Sequence, residues 1–160
     1  MNQRETLKIN SKGHLEIGGC DTVDLAAQFG TPLYVFDEKY IRDMMDVYRD
    51  TIEREYDGHG LVLYASKAFS CMAIYKIAAQ ENIGVDVVSG GELYTALKAG
   101  FPAEKIYMHG NNKLLRELQL AVDSGVGTIV VDSYDEADML NELAQNKGIS
   151  QDVLIRINPG

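Results

Sequence analysis

From Leu61 onward, short apolar runs alternate with amphipathic stretches, and no other feature of the chain narrows its fold as much. The runs begin near Leu61, Val85, Ile106, Thr128 and Val153. Between them, apolar residues recur at helical spacing, which predicts helices over 71–81, 92–99, 114–124 and 134–147. Gly84, Gly100, Gly125 and Gly148 sit where these helices are expected to end, the position at which a left-handed residue closes a helix. A strand, a helix and a further strand at this spacing form a βαβ unit, and such crossovers force neighbouring strands to be parallel. On these grounds a doubly wound sheet and a (β/α)8 barrel both remain open.

The residues before Leu61 have another character. Leu7-Lys-Ile and His14-Leu-Glu-Ile alternate in period two around Ser11-Lys-Gly13, as in a short hairpin. Residues 24–29 suit a short helix, which Gly30-Thr-Pro32 breaks, and 33–36 read as extended. Asp37 is placed to cap a helix over 38–54, with Ile41, Met44, Met45 and Tyr48 on one face.

Charge and composition exclude several classes. A net charge of −9 leaves no basic stripe to neutralise phosphates, so a nucleic-acid partner is not expected. Cys20 and Cys71 make neither a disulfide framework nor a metal spacing, and His14, His59 and His109 are too far apart to share a helix face. The apolar runs are far shorter than a membrane span, and no secretory leader is visible, so the expected compartment is the cytoplasm. The last run, Val153 to Gly160, is a strand entering its loop with no helix after it. A barrel needs eight strands and about 250 residues, so the expectation is a truncated chain.

Ligands of parallel α/β folds sit at the carboxyl ends of the strands, and that rule selects the chemistry-bearing residues. Lys67 ends the first run. If it leaves water, its ammonium form is disfavoured and the free amine can condense with an aldehyde cofactor. The alternative is a lysine whose stem packs while its ammonium stays wet. Asp86 stands between Val85 and Val87, where a carboxylate is costly without a partner such as Lys67 or a ligand cation. Ser89-Gly-Gly-Glu92 fits a capping box, so Glu92 can tie down a helix terminus, serve the site, or do both. Ser133-Tyr-Asp-Glu136 fits the same box and reads as a cap. His109 opens His109-Gly-Asn-Asn-Lys113 after the third run, and Arg156 interrupts Leu-Ile-Arg-Ile, which calls for an anionic partner.

Tyr64-Ala-Ser-Lys67-Ala, Asp86-Val-Val-Ser-Gly-Gly-Glu-Leu93, His109-Gly-Asn-Asn-Lys113 and Arg156-Ile-Asn-Pro-Gly160 occur in this order. Together they resemble the diaminopimelate decarboxylase family of fold-type III pyridoxal-phosphate enzymes. Gly30-Thr-Pro-Leu-Tyr-Val-Phe-Asp37 also resembles that family's lead into its barrel, so the likeness covers nearly the whole chain. It implies a partial (β/α)8 TIM-type barrel of about five βα units. Residues 1–30 would be an N-terminal β segment that joins a second β-domain, and 31–160 an incomplete pyridoxal-phosphate-binding barrel.

The same likeness implies that Lys67 is catalytic and holds pyridoxal 5'-phosphate, with Asp86, Glu92, His109 and Arg156 also binding the cofactor. No metal is implied. The implied reaction is decarboxylation of meso-2,6-diaminopimelate to L-lysine, by a homodimer when full-length. The family's glycine-rich phosphate loop, Glu-Pro-Gly-Arg segment and Cys-Glu-Ser motif are not in this sequence. The 160 residues alone are therefore expected to be inactive. A decarboxylase of another basic amino acid and a non-catalytic cofactor-binding protein are the rival readings.

Overall fold

The computed structural model describes residues 6–160, which divide into one unit ending at Tyr48 and another running from Arg49 to Gly160. In the first, β1 (Leu7–Ile9) and β2 (Leu15–Ile17) form the expected antiparallel hairpin, with Leu7 opposite Ile17 and Ile9 opposite Leu15. Gly13 takes the left-handed conformation in its turn (φ +78°), which a side chain would resist. A third strand, β3 (Cys20–Asp21), pairs with β2; two residues are too few to show a period in the sequence. Asp21 then caps α1 (Thr22–Phe29) by accepting from the amides of Val23 and Asp24, so the helix starts two residues before the expected point. Residues 33–36 belong to no sheet. Asp37 accepts from the Tyr40 amide at 3.1 Å and opens α2 (Glu38–Tyr56). Of the expected apolar face of α2, Met45 is buried, whereas Tyr48 is largely exposed.

The second unit is a parallel sheet of β4 (Leu63–Ala65), β5 (Gly84–Val87), β6 (Ile106–Met108), β7 (Thr128–Val131) and β8 (Val153–Ile155). Their spatial order follows the chain without reversal. A doubly wound sheet reverses order at a switch point; a barrel wall does not, so the sheet is the wall of a partial barrel. Helices α3 (Met72–Gln80), α4 (Gly90–Lys98), α5 (Leu115–Ser124) and α6 (Tyr134–Lys147) lie close to the bounds that periodicity predicts.

The core joins helix and strand side chains. Tyr75, Leu93 and Leu118 from the helices and Val85, Val87, Ile106, Met108 and Ile129 from the strands are fully buried. Each such side chain contributes about 1.5–3 kcal/mol on leaving water. Tyr75 also meets Phe101 edge-on, with ring centroids 6.5 Å apart.

One expected helix stop is corrected. Gly100, Gly125 and Gly148 do adopt left-handed conformations after their helices, but Gly84 opens β5 instead. The left-handed residue after α3 is Asn82 (φ +60°). Gly84 is required by close packing, since a Cβ there would stand 2.5 Å from Leu63 Cδ2 and 2.8 Å from the Lys105 carbonyl oxygen. Among the described residues, no helix is long and apolar enough to cross a membrane.

Candidate functional site

The carboxyl ends of β4, β5 and β6 bring Lys67, Asp86 and His109 to one edge of the sheet. Lys67 lies on a single 3-10 turn (Ser66–Ala68) directly after β4. It is exposed, so of the two readings open in the sequence the wet ammonium holds, and its own surroundings do not remove it from water. The turn rather than the strand end presents the amine, because Ser66 beside it is buried and points inward.

Asp86 is the strained member of the group. It sits within β5, opposite Ala65 of β4 and Tyr107 of β6. Its Oδ1 is buried and has no hydrogen-bond partner, and His109 Nε2 lies 3.9 Å away, beyond hydrogen-bonding range. Burial pushes the Asp86 carboxyl above its ordinary value; His109 and Lys67 pull it back, and Glu92 adds to the rise. A buried oxygen lacking a donor, beside an accessible amine, could hold a ligand that brings a proton-bearing group to one and a carbonyl to the other. An aldehyde cofactor with a protonatable ring fits that donor set.

Glu92 both belongs to a cap and reaches past it. Ser89 Oγ accepts from the Glu92 amide at 3.3 Å, the expected half of the capping box. The carboxylate does not return to the Ser89 amide; its Oε2 accepts from the Val88 amide at 2.6 Å and from Ser66 Oγ at 3.1 Å. The third residue of α4 thereby holds the turn that carries Lys67.

The same position of the next two helices does the same work one strand further on. Glu117 of α5 accepts from its own Leu114 amide at 2.9 Å and from the Gly90 amide at 2.7 Å. Glu136 of α6, expected only to cap, forms a buried ion pair with Lys113 at 2.8 Å. It also accepts from the amides of Lys113 and Asp132, both at 3.0 Å. Burial pushes the Glu136 carboxyl up, yet the hydrogen bonds from Lys113 and the two amides, with the ammonium charge, outweigh it and hold the group below its ordinary value. Ser66, Lys113, Glu117 and Glu136 escaped the sequence-based site; the only signal was glutamate at the third position of successive helices.

Arg156 stands just past β8, its amide donating to the Val131 carbonyl at 3.0 Å. The anionic partner its setting called for is Asp132, 3.2 Å from Nη1. Lys67, Asp86, Glu92 and His109 are thus linked by contact or field, while Arg156 is joined to Asp132 on the other side of the edge. Among the described residues, no three His, Cys, Asp or Glu side chains gather as a metal site.

Comparison with known proteins matches the chain to one family. The model of the pyridoxal-dependent decarboxylase, pyridoxal binding domain, matches residues 42–160. A diaminopimelate decarboxylase of Bacillus methanolicus is 48% identical over 155 residues, covering 97% of this chain and 36% of that protein. Its counterpart in Bacillus subtilis is 49% identical over 158 residues, covering 97% and 35%. Among solved structures, diaminopimelate decarboxylase from M. jannaschii in co-complex with L-lysine superposes with a TM-score of 0.87 at 36% identity, over 100% of this chain and 37% of that one. AQ1208 from Aquifex aeolicus gives 0.88 at 39% identity, over 97% and 37%. The chain therefore spans about a third of the length of the curated relatives it matches. With its strand order, its helices and residues 42–160 all in agreement, this chain belongs to the pyridoxal-dependent decarboxylase family, in the pyridoxal binding domain.

Proposed function

We propose that this chain is the lysine-bearing part of a diaminopimelate decarboxylase, which converts meso-2,6-diaminopimelate to L-lysine with pyridoxal 5'-phosphate held at Lys67. The observation that carries the reading is the unpartnered buried oxygen of Asp86 beside Lys67 and His109 at the carboxyl edge of a parallel sheet. When bound, pyridoxal phosphate supplies an electron sink for the pair left behind as carbon dioxide departs. The chain's residues supply attachment, orientation and charge. Lys67 offers an accessible amine on a turn fixed from below by Ser66 and Glu92. Asp86 offers its free oxygen to a proton-bearing group of the ligand, a bond that would offset its burial. His109 borders that oxygen and limits where the ligand's ring can lie. Glu92 sets the Lys67 turn and adds negative charge near Asp86. Arg156, tethered by Asp132, contributes a guanidinium suited to an anionic part of cofactor or substrate.

The substrate assignment is supported by identities of 48–49% to proteins named diaminopimelate decarboxylase. A lysine/ornithine decarboxylase from Vibrio vulnificus shares only 20% and supports the fold alone. Since about a third of each relative is covered, we extend the reading to a full-length homodimer. In it, residues 1–30 join a further β-domain, and turnover requires more than these 160 residues.

Addition of pyridoxal 5'-phosphate to the purified chain is expected to change the cofactor's absorbance, and Lys67→Ala is expected to abolish that change. An identical response from both proteins would overturn the assignment of Lys67. In the full-length enzyme, release of carbon dioxide and L-lysine from meso-diaminopimelate tests the substrate. Turnover of another basic amino acid in its place would transfer the chain to a related decarboxylase.

A further inference from the structure

We infer that Lys113 is a positioning residue for His109. All three ammonium hydrogens have acceptors: Glu136 Oε2 at 2.8 Å, the Gly110 carbonyl at 2.6 Å and the Val130 carbonyl at 2.7 Å. Its side chain is only 2% exposed, and none of these three acceptors belongs to Lys67 or Asp86. What it grips is the backbone next to His109. Gly110 has φ +97°, and a Cβ there would lie 2.5 Å from the Val88 carbonyl oxygen, so the turn is pressed flat against the end of β5. The His109 amide donates to the Val87 carbonyl at 2.8 Å on the same side. Lys113 closes the turn from the other side and is itself anchored to β7 by Val130 and to α6 by Glu136.

The consequence is geometric. The His109 turn is clamped between β5 and the Lys113–Glu136 pair, which leaves the imidazole beside Asp86 Oδ1 at 3.9 Å. A well-packed apolar pair is often as stabilising as a buried ion pair. An ammonium here adds what an apolar side chain lacks: three directed bonds to three separate segments. The importance of His109 to a ligand rests on the proposed function; the clamp on its turn does not.

The test is nuclear magnetic resonance on the isotopically labelled chain, comparing wild type with Lys113→Met and with the double variant Lys113→Met/Glu136→Gln. The double variant leaves no unpaired buried charge, so it guards against simple misfolding of the single one. Amide hydrogen exchange at His109 is expected to accelerate by about tenfold or more in both, while the Val88 amide, held by Glu92, stays within about threefold. The His109 ring resonances are expected to move toward those of His59, an exposed loop histidine. Unchanged His109 signals in a folded variant would overturn the inference. Equal acceleration at His109 and Val88 would also do so, as would collapse of both variants, because the pair would then support the fold as a whole. Cofactor absorbance, recorded separately, reports on Lys67; its failure in wild type would remove the proposed function and leave the exchange result standing.

Discussion

At the scale of single residues, charge and space decide the outcome at Asp86 and Gly110. A carboxyl raised in the folded state binds protons there that the unfolded chain has already released. Stability is therefore lost as pH rises from the ordinary carboxylate range through the raised value. Asp86→Asn cannot ionise and is expected to gain stability relative to wild type at pH 7 compared with pH 3, as read by denaturant unfolding at both. An equal difference at the two pH values would contradict the raised carboxyl. Gly110→Ala places a methyl against the Val88 carbonyl in a left-handed turn and is expected to cost about 1–3 kcal/mol by the same measurement. Asp86 was legible in the sequence because a carboxylate between two valines is costly unless it finds a partner. For Lys67 the sequence left a desolvated and a wet amine both open, and the structure takes the wet one, because the chain turns before the lysine, which an apolar run does not record.

Elements explain which bonds the sequence concealed. Serine followed by glutamate three residues on marks the starts of α4 and α6, and the serine half of each cap forms as the pattern indicates. The glutamate halves bond partners 26 and 23 residues away, on the loop of the preceding strand, and local spacing carries no information about such partners. Glu136 shows the energetic weight of the arrangement. Removing Lys113 leaves its carboxylate buried without a counter-ion, a change that costs about 3–5 kcal/mol. Lys113→Met is expected to lose stability on that scale in denaturant unfolding, and the double variant with Glu136→Gln less. Because the folded Glu136 value is depressed, its contribution is full above the ordinary glutamate value of about 4.3 and disappears as pH falls through the depressed one. Glu136→Gln is expected to flatten the loss of stability in that acidic window; an unchanged acid profile would refute the pairing.

Across the whole molecule, periodicity revealed the parallel strands but left a doubly wound sheet and a barrel open. Both use the same βαβ unit and differ only in where each new strand is added, which no local pattern records. The chain-order sheet resolves this, and it aligns the ends of β4, β5 and β6 so that Lys67 and His109, separated by two crossovers, both act on Asp86. The central claim is that this edge makes one lysine the attachment point of an aldehyde cofactor. It is tested most directly by incubating the chain with pyridoxal 5'-phosphate, reducing with borohydride and mapping the modified peptides. The expected result is a single pyridoxyl adduct on Lys67, although the side chains of Lys8 and Lys39, each ion-paired with a neighbouring carboxylate, are 64% and 71% exposed. Adducts spread over the exposed lysines, with no preference for Lys67, would contradict it.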